Sequence, residues 1–260
     1  MRHAIAGVVL FLLLPGAAIA TDYVAIPAGK LASVLASDAD TGPVPIAAFG
    51  MRATPVTNGE YLAFVKSNRT WQRGRVPSTF ADGTYLHSWR SPLQLNADAR
   101  DDQPVTNVSW FAAEAFCESE NARLPTWLEW EYVAAADRSV FDARQDPAWR
   151  ARILSWYSQS SAAPLASIGG EHNAFGVRNM HGLVWEWVED FNALLVSGDS
   201  REQGDPDKLQ FCGAGAISLK DRDNYAVLMR IALLSSMSAT ATTNNLGFRC
   251  VRSPVAENKK

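Results

Sequence analysis

Asn179-Met-His-Gly-Leu-Val-Trp-Glu-Trp187 points to the architecture of this chain when taken together with four other segments. Upstream lie Pro104-Val-Thr-Asn-Val-Ser-Trp110, Ala122-Arg-Leu-Pro-Thr-Trp-Leu-Glu-Trp-Glu-Tyr132 and Asn173-Ala-Phe-Gly176. Downstream lies Asn245-Leu-Gly-Phe-Arg-Cys250. Any one of them is a weak signal, but in this order they are specific. Between Asp221 and Leu246 the chain contains no cysteine.

Outward from these segments, local grammar places the elements. Thr57 followed by Glu60, and Thr126 followed by Glu129, are capping boxes, in which each side chain meets the other residue's free backbone N–H. The first predicts a short helix burying Tyr61, Phe64 and Val65 on one face. The second predicts a helix running through Glu131 and Tyr132 toward Ala136. Ser109 opens another, with Trp110, Ala113, Phe116 and Cys117 on one stripe, and Pro125 forces an extended link at Leu124. Strands are expected at 23–27, around 45–49 and over 247–252. Residues 71–103 read as a long ordered loop anchored by Phe80, Tyr85 and Trp89. Beyond Ile153 the pattern suggests short strands and tight turns. The whole reads as an α+β domain with little regular secondary structure.

The ends and the composition bound the rest. Arg2 and His3, an apolar run from Ala4 to Leu14 and the small residues around Ala20 predict a signal peptide over residues 1–20, cleaved near Ala20. The apolar run is shorter than the roughly 20 residues that span a bilayer, so a periplasmic chain without a membrane span after processing is expected. Residues 21–254 then form one domain, and 255–260 a frayed tail. With a formal charge of −3 and no Lys/Arg cluster, nucleic acid is a poor partner. The three cysteines, Cys117, Cys212 and Cys250, predict one bridge and one spare thiol in an oxidising compartment, with the pairing left open by count alone.

The five segments together resemble the formylglycine-generating enzyme (sulfatase-modifying factor) family. The resemblance runs from Pro27-Ala-Gly29 through Thr54-Pro-Val-Thr-Asn58 to Cys250. It implies a variant of the C-type lectin fold and a disulfide between Cys117 and Cys250, which leaves Cys212 as the free thiol, most simply a small buried hydrophobe. It also implies a calcium site from Asn179, Gly182, Val184 and Glu186, an all-oxygen set that suits a hard cation; the competing reading is a hydrogen-bonded loop without metal. His181, inside that loop, is not a candidate ligand, since imidazole prefers softer metals.

In the oxidases resembled, two reactive cysteines precede the last segment, at positions that here fall near Asp221 and Ala226. Thiolates are what hold Cu(I), and carboxylate and methyl do not replace them, so no copper is expected. Related enzymes with a histidine-rich iron site are no closer, because only His87, His172 and His181 follow the leader. Asp221 and Asp223 form a polar cluster at the vacated position, able to hydrogen-bond a ligand or simply a solvated turn. Trp185 reads as core and Trp187 as groove wall, a candidate shelf for a peptide.

The functional expectation is a non-oxidase member of the family, a periplasmic protein-binding or regulatory factor. The narrower expectation, by likeness to an exported regulator of type VI secretion acting upstream of a threonine kinase, is control of secretion through threonine phosphorylation. The alternatives are an exported maturation enzyme of different chemistry, as in siderophore chromophore oxidation, and an assembly factor for a periplasmic redox enzyme.

Overall fold

Residues 22–33, 42–158, 165–193 and 225–253 are described in the computed structural model. Cys212, Asp221, Asp223, the leader 1–20 and the tail 255–260 lie outside the described residues. The two ends of the domain meet in one sheet. β1 (Tyr23–Ile26) pairs antiparallel with β4 (Phe49–Arg52), and β4 pairs antiparallel with β7 (Val251–Arg252), in the order β1-β4-β7. Between β1 and β4 the chain makes a small antiparallel pair, β2 (Gly29–Leu31) with β3 (Val44–Ile46). The expected strand at 45–49 is therefore two strands, broken at Ala47 and Ala48 between Ile46 and Phe49.

Three short helices pack against this frame, each started as the sequence dictates. In α1 (Asn58–Ser67) the Thr57 hydroxyl accepts from the Glu60 N–H at 3.2 Å, and the Glu60 carboxylate accepts from the Thr57 N–H at 2.8 Å. The box at Thr126 and Glu129 opens α3 (Trp127–Ala134) in the same way, and Ser109 caps α2 (Trp110–Ser119). Their apolar faces meet in one core. Tyr61 and Phe116 stack at 5.7 Å, Phe64 meets Phe116 at 5.3 Å, and Phe248, just before the last strand, meets Phe116 at 5.4 Å.

Cys117 of α2 is joined to Cys250, 133 residues on and next to β7. By chain entropy, closing a loop of that length stabilises the fold by about 5 kcal/mol. Gly247, within the two-residue β6 (Leu246–Gly247), marks where backbones touch. A Cβ there would lie 2.7 Å from the Val105 carbonyl oxygen, so any side chain would push two segments apart.

The long loop after α1 is pinned by polar tips of aromatic residues. The Tyr85 and Tyr61 hydroxyls lie 2.7 Å apart, and Trp89 Nε1 donates to Asn58 Oδ1 at 3.1 Å. Phe80, expected as a third anchor, is 41% exposed and only edges against Trp71 and Phe111.

The region beyond Ile153 departs from its expectation. Instead of strands alone it holds α4 (Pro147–Tyr157) and α5 (Tyr225–Ser235), which pack on each other. α4 starts where Asp146 caps Pro147, a residue whose fixed φ suits a first helical position, and it buries Trp149 and Ile153. α5 is apolar nearly all round, with Arg230, Ile231 and Leu234 buried. No helix among the described residues is long and apolar enough to cross a membrane.

Candidate functional site

The segments singled out in the sequence converge on one buried ion pair. Glu186, in the short strand β5 (Trp185–Glu186), is fully buried, and so is Arg249 of the last segment. β5 runs parallel to β6, which carries Arg249 close behind it. Arg249 grips the carboxylate bidentately, Nε to Oε2 at 2.8 Å and a terminal nitrogen to Oε1 at 2.8 Å. Trp130 Nε1 adds a third donor to Oε2 at 2.8 Å. The remaining N–H groups of Arg249 reach the carbonyl oxygens of Arg52, Arg178 and Asn179. The Trp-Glu-Trp and Gly-Phe-Arg-Cys segments are thus two halves of one structural joint, with a glutamate and an arginine that each satisfy the other.

The oxygens expected to hold calcium belong to this same joint and its loop. Asn179 and Gly182 sit at φ 56° and 90°, the left-handed turns that shape the loop. Asn179 Oδ1 accepts from the Gly169 N–H at 3.0 Å. Glu186 Oε2 takes two hydrogen bonds and Oε1 one. The loop therefore offers oxygens of the right type, but the only carboxylate in the set is already neutralised by Arg249. An ion here shares its charge partner with a guanidinium, which fits weak binding rather than a tight site.

The two tryptophans of the segment are placed the other way round from the sequence expectation. Trp187, the binding candidate, is fully buried, with Nε1 donating to the Val108 carbonyl at 3.0 Å and its ring on Phe191. It is core. Trp185 is the half-buried one, stacked on Tyr157 of α4 at 4.7 Å and tilted against Trp156 at 5.4 Å. Alternation along a strand shows that the two rings point to opposite faces, but not which face is wet. Leu154 and Met229 are exposed on α4 and α5, the same two helices that border this aromatic face.

Behind the shelf lies a second buried cation that sequence reasoning missed. Arg230 of α5 lies flat over Trp130, 3.5 Å from the ring centroid, and donates to the Glu186 carbonyl oxygen. Among the described residues no carboxylate pairs with it directly, since both oxygens of Glu186 go to Arg249 and Trp130. Burial pulls its pKa down to about 10, against the pull of Glu186 and Tyr157 in the other direction. His181 stands edge-on to Trp130 and Trp149, with Nε2 2.9 Å from the Ala134 carbonyl oxygen. Burial lowers its pKa to about 4, so it is neutral at physiological pH. Tyr157 is raised to about 12, again by burial. These side chains, with Ala226, wall a cavity of about 20 Å3. On the far wall Glu131 accepts from Trp127 Nε1 at 2.7 Å and pairs with Arg144 at 3.2 Å.

The two positions expected to carry the reactive cysteines of the oxidases hold other residues. Position 221 is aspartate and 226 alanine, and Cys117 and Cys250 are bonded to each other. Ala226 sits in the first turn of α5, against the cluster of Trp149 and Ile153. Among the described residues no group of three His, Cys, Asp or Glu side chains is placed to hold a metal.

A model of the sulfatase-modifying factor enzyme 1-like domain matches residues 15–254. The chain belongs to that family. It is 32% identical over 253 aligned residues to the formylglycine-generating enzyme of Streptomyces coelicolor, covering 78% of this chain and 77% of that protein. It is also 32% identical over 162 residues to a hercynine oxygenase of Mycobacterium tuberculosis, covering 56% of this chain but only 38% of that enzyme. Among solved structures, that of CarF aligns with a TM-score of 0.49 at 17% identity, over 90% of this chain and 98% of CarF.

Proposed function

We propose that this chain is an exported family member that binds a protein or peptide partner instead of oxidising a thiol. The observation that carries this reading is the missing thiol pair: the family frame is intact, yet the positions of the two reactive cysteines hold Asp221 and Ala226. A Cu(I) site needs soft thiolate ligands, and a disulfide does not supply them. What remains at that end of the fold is a half-buried aromatic shelf, Trp185 with Tyr157 and Trp156, beside exposed Leu154 and Met229. Aromatic and apolar groups of this kind favour a protein partner more than a charged small molecule.

The narrower form of the proposal is a periplasmic regulator in the threonine-phosphorylation control of type VI secretion. It is supported by the predicted signal peptide together with the vacated cysteine positions. Weak calcium binding at the Asn179–Glu186 loop is proposed as a stabilising feature of the same protein.

The test separates binding from catalysis. Mature protein loaded with Cu(I) is incubated with a cysteine-bearing peptide, and aldehyde formation is followed by mass spectrometry; none is expected, and turnover would defeat the proposal. In parallel, a photo-crosslinking residue placed at position 185 should capture a defined periplasmic protein, and one placed at exposed Val140 should not. If both positions capture the same set, the shelf is not the binding face. A partner retained by an Asp221→Ala, Asp223→Ala double variant also favours binding over acid–base chemistry at those carboxylates.

A further inference from the structure

Residues 61–95 hold five basic side chains, Lys66, Arg69, Arg73, Arg75 and Arg90, against one acidic residue, Asp82. The stretch therefore carries +4 in a chain whose total is −3. The five are spaced out singly, so no basic run announces them in the sequence. The loop after α1 gathers them instead.

Tight turns follow one another there. The Trp71 N–H donates to the Asn68 carbonyl at 3.0 Å, Gln72 to Arg69 at 3.2 Å, and Arg75 to Gln72 at 2.9 Å. The Gln72 side chain turns inward to the Val65 carbonyl at 3.0 Å, while Arg69 and Arg75 on either side of it stay exposed. Arg73 donates to the Trp89 carbonyl and so ties this run to the next turn. In that turn the Arg90 N–H donates to the Gln94 carbonyl at 3.0 Å, and Leu93 is 44% exposed. Exposed Phe80 edges against Trp71 at 6.1 Å.

These cations differ from others in the chain. Arg52, Arg100, Arg123, Arg138, Arg144 and Arg249 each hold a carboxylate. Lys66, Arg69, Arg75 and Arg90 are exposed, and none of them forms an ion pair among the described residues. The Asp82 carboxylate already accepts from Thr84 and Thr242. One free cation is an ordinary surface feature; four on one loop set up a local positive field on an acidic protein. Cations alone would suit an acidic polypeptide equally well. The exposed Phe80 and Leu93 among them favour a lipid interface, where apolar tips enter while Lys and Arg stay at headgroup level.

We propose that the loop over residues 66–93 is a docking surface for an anionic lipid membrane. Lys66, Arg69, Arg75 and Arg90 lie at the headgroups, and Phe80 and Leu93 enter between them. Binding is weak, reversible and removed by salt. No residue of the Trp185 shelf takes part.

The test is sedimentation of the chain from residue 21 with vesicles of phosphatidylcholine, alone or mixed with phosphatidylglycerol. Binding is expected only to the mixed vesicles, and release at about 1 M salt, where charges are screened within about 3 Å. Each Lys or Arg near such a surface strengthens binding about fivefold, so an Arg69→Gln, Arg75→Gln double variant should partition about 25-fold more weakly. Phe80→Ser should also weaken it. An Arg138→Gln, Arg152→Gln double variant, which changes the net charge equally at exposed sites elsewhere, should sediment like wild type. Melting curves check that each variant is folded. Equal binding to both kinds of vesicle overturns the proposal, as does an equal loss in the two double variants. Binding to poly-glutamate without binding to vesicles overturns it in favour of an acidic polypeptide.

Discussion

Trp130 divides two regions built on opposite principles. On its Nε1 side, Glu186 and Arg249 satisfy each other, and the Trp130 indole and the carbonyls of Arg52, Arg178 and Asn179 close around them. Against its ring face lies Arg230, a cation with a carbonyl and an indole for company, beside a histidine with one bare nitrogen and a small void. The first region is where the recognisable segments gather; the second is walled by residues of α4 and α5. The lesson is that the motifs which identify the family here are mostly scaffold, and that function has to be sought where satisfaction is incomplete.

If that division holds, damage to the first region should appear as lost stability. The largest effect is expected from the bridge. A Cys117→Ala, Cys250→Ala double variant should lose about 5 kcal/mol in urea denaturation, because the 133-residue separation closes a long loop. Next, Arg249→Leu should cost about 3–5 kcal/mol by stranding the Glu186 charge in the interior. The paired variant, Glu186→Leu with Arg249→Leu, should cost less than Arg249→Leu alone. If it costs more, the joint is held by packing rather than by charge satisfaction.

The second region predicts an acid-sensitive step of its own. His181 has its folded pKa lowered to about 4 from 6.5. The unfolded chain therefore binds the proton first as pH falls, and stability drops between about pH 6.5 and 4. Up to about 3 kcal/mol is at stake if the whole shift is realised. Asp82, Asp137 and Asp142 also have lowered pKa values, but they titrate below that window. Comparing urea midpoints at pH 7 and pH 5 for wild type and His181→Phe checks this; equal slopes would assign the acid step elsewhere.

How much of this was legible beforehand follows the range of each interaction. Capping boxes are written within four residues, so α1 and α3 could be placed by reading alone. The fold class and family were legible because several segments occur in a fixed order. α5 was not, because its run of apolar residues has no polar face to reveal a helical period. Its one charge, Arg230, reads as a surface residue until Trp130 is seen beneath it. α4 did carry a signal, Asp146 followed by Pro147, that reading beyond it as strands passed over. The exchange of Trp185 and Trp187 has a different cause: alternation fixes that two neighbours face apart, and only the packed helices decide which side is inside.

Smaller effects sharpen the contrast. Trp185→Ala removes a half-buried ring, so it should cost only about 1 kcal/mol while reducing the partner retained in a pull-down from periplasm; Trp187→Ala, at the fully buried position, should cost about 3–5 kcal/mol and serves as the contrast.

Calcium gives the smallest shift and the finest test of the division. Stabilisation by a ligand follows its concentration relative to its dissociation constant, so an ion at its own Kd adds only about 0.4 kcal/mol. With Arg249 already on Glu186, a dissociation constant in the millimolar range is expected, and 1 mM calcium should raise the melting temperature by no more than a degree or two. An Arg249→Gln variant removes the competing cation and keeps a donor for the carboxylate. In that variant the calcium-dependent rise should grow even though the starting stability is lower. A large rise in wild type would mean that the ion and the guanidinium occupy Glu186 together, and the first region would then be a metal site as well as a joint.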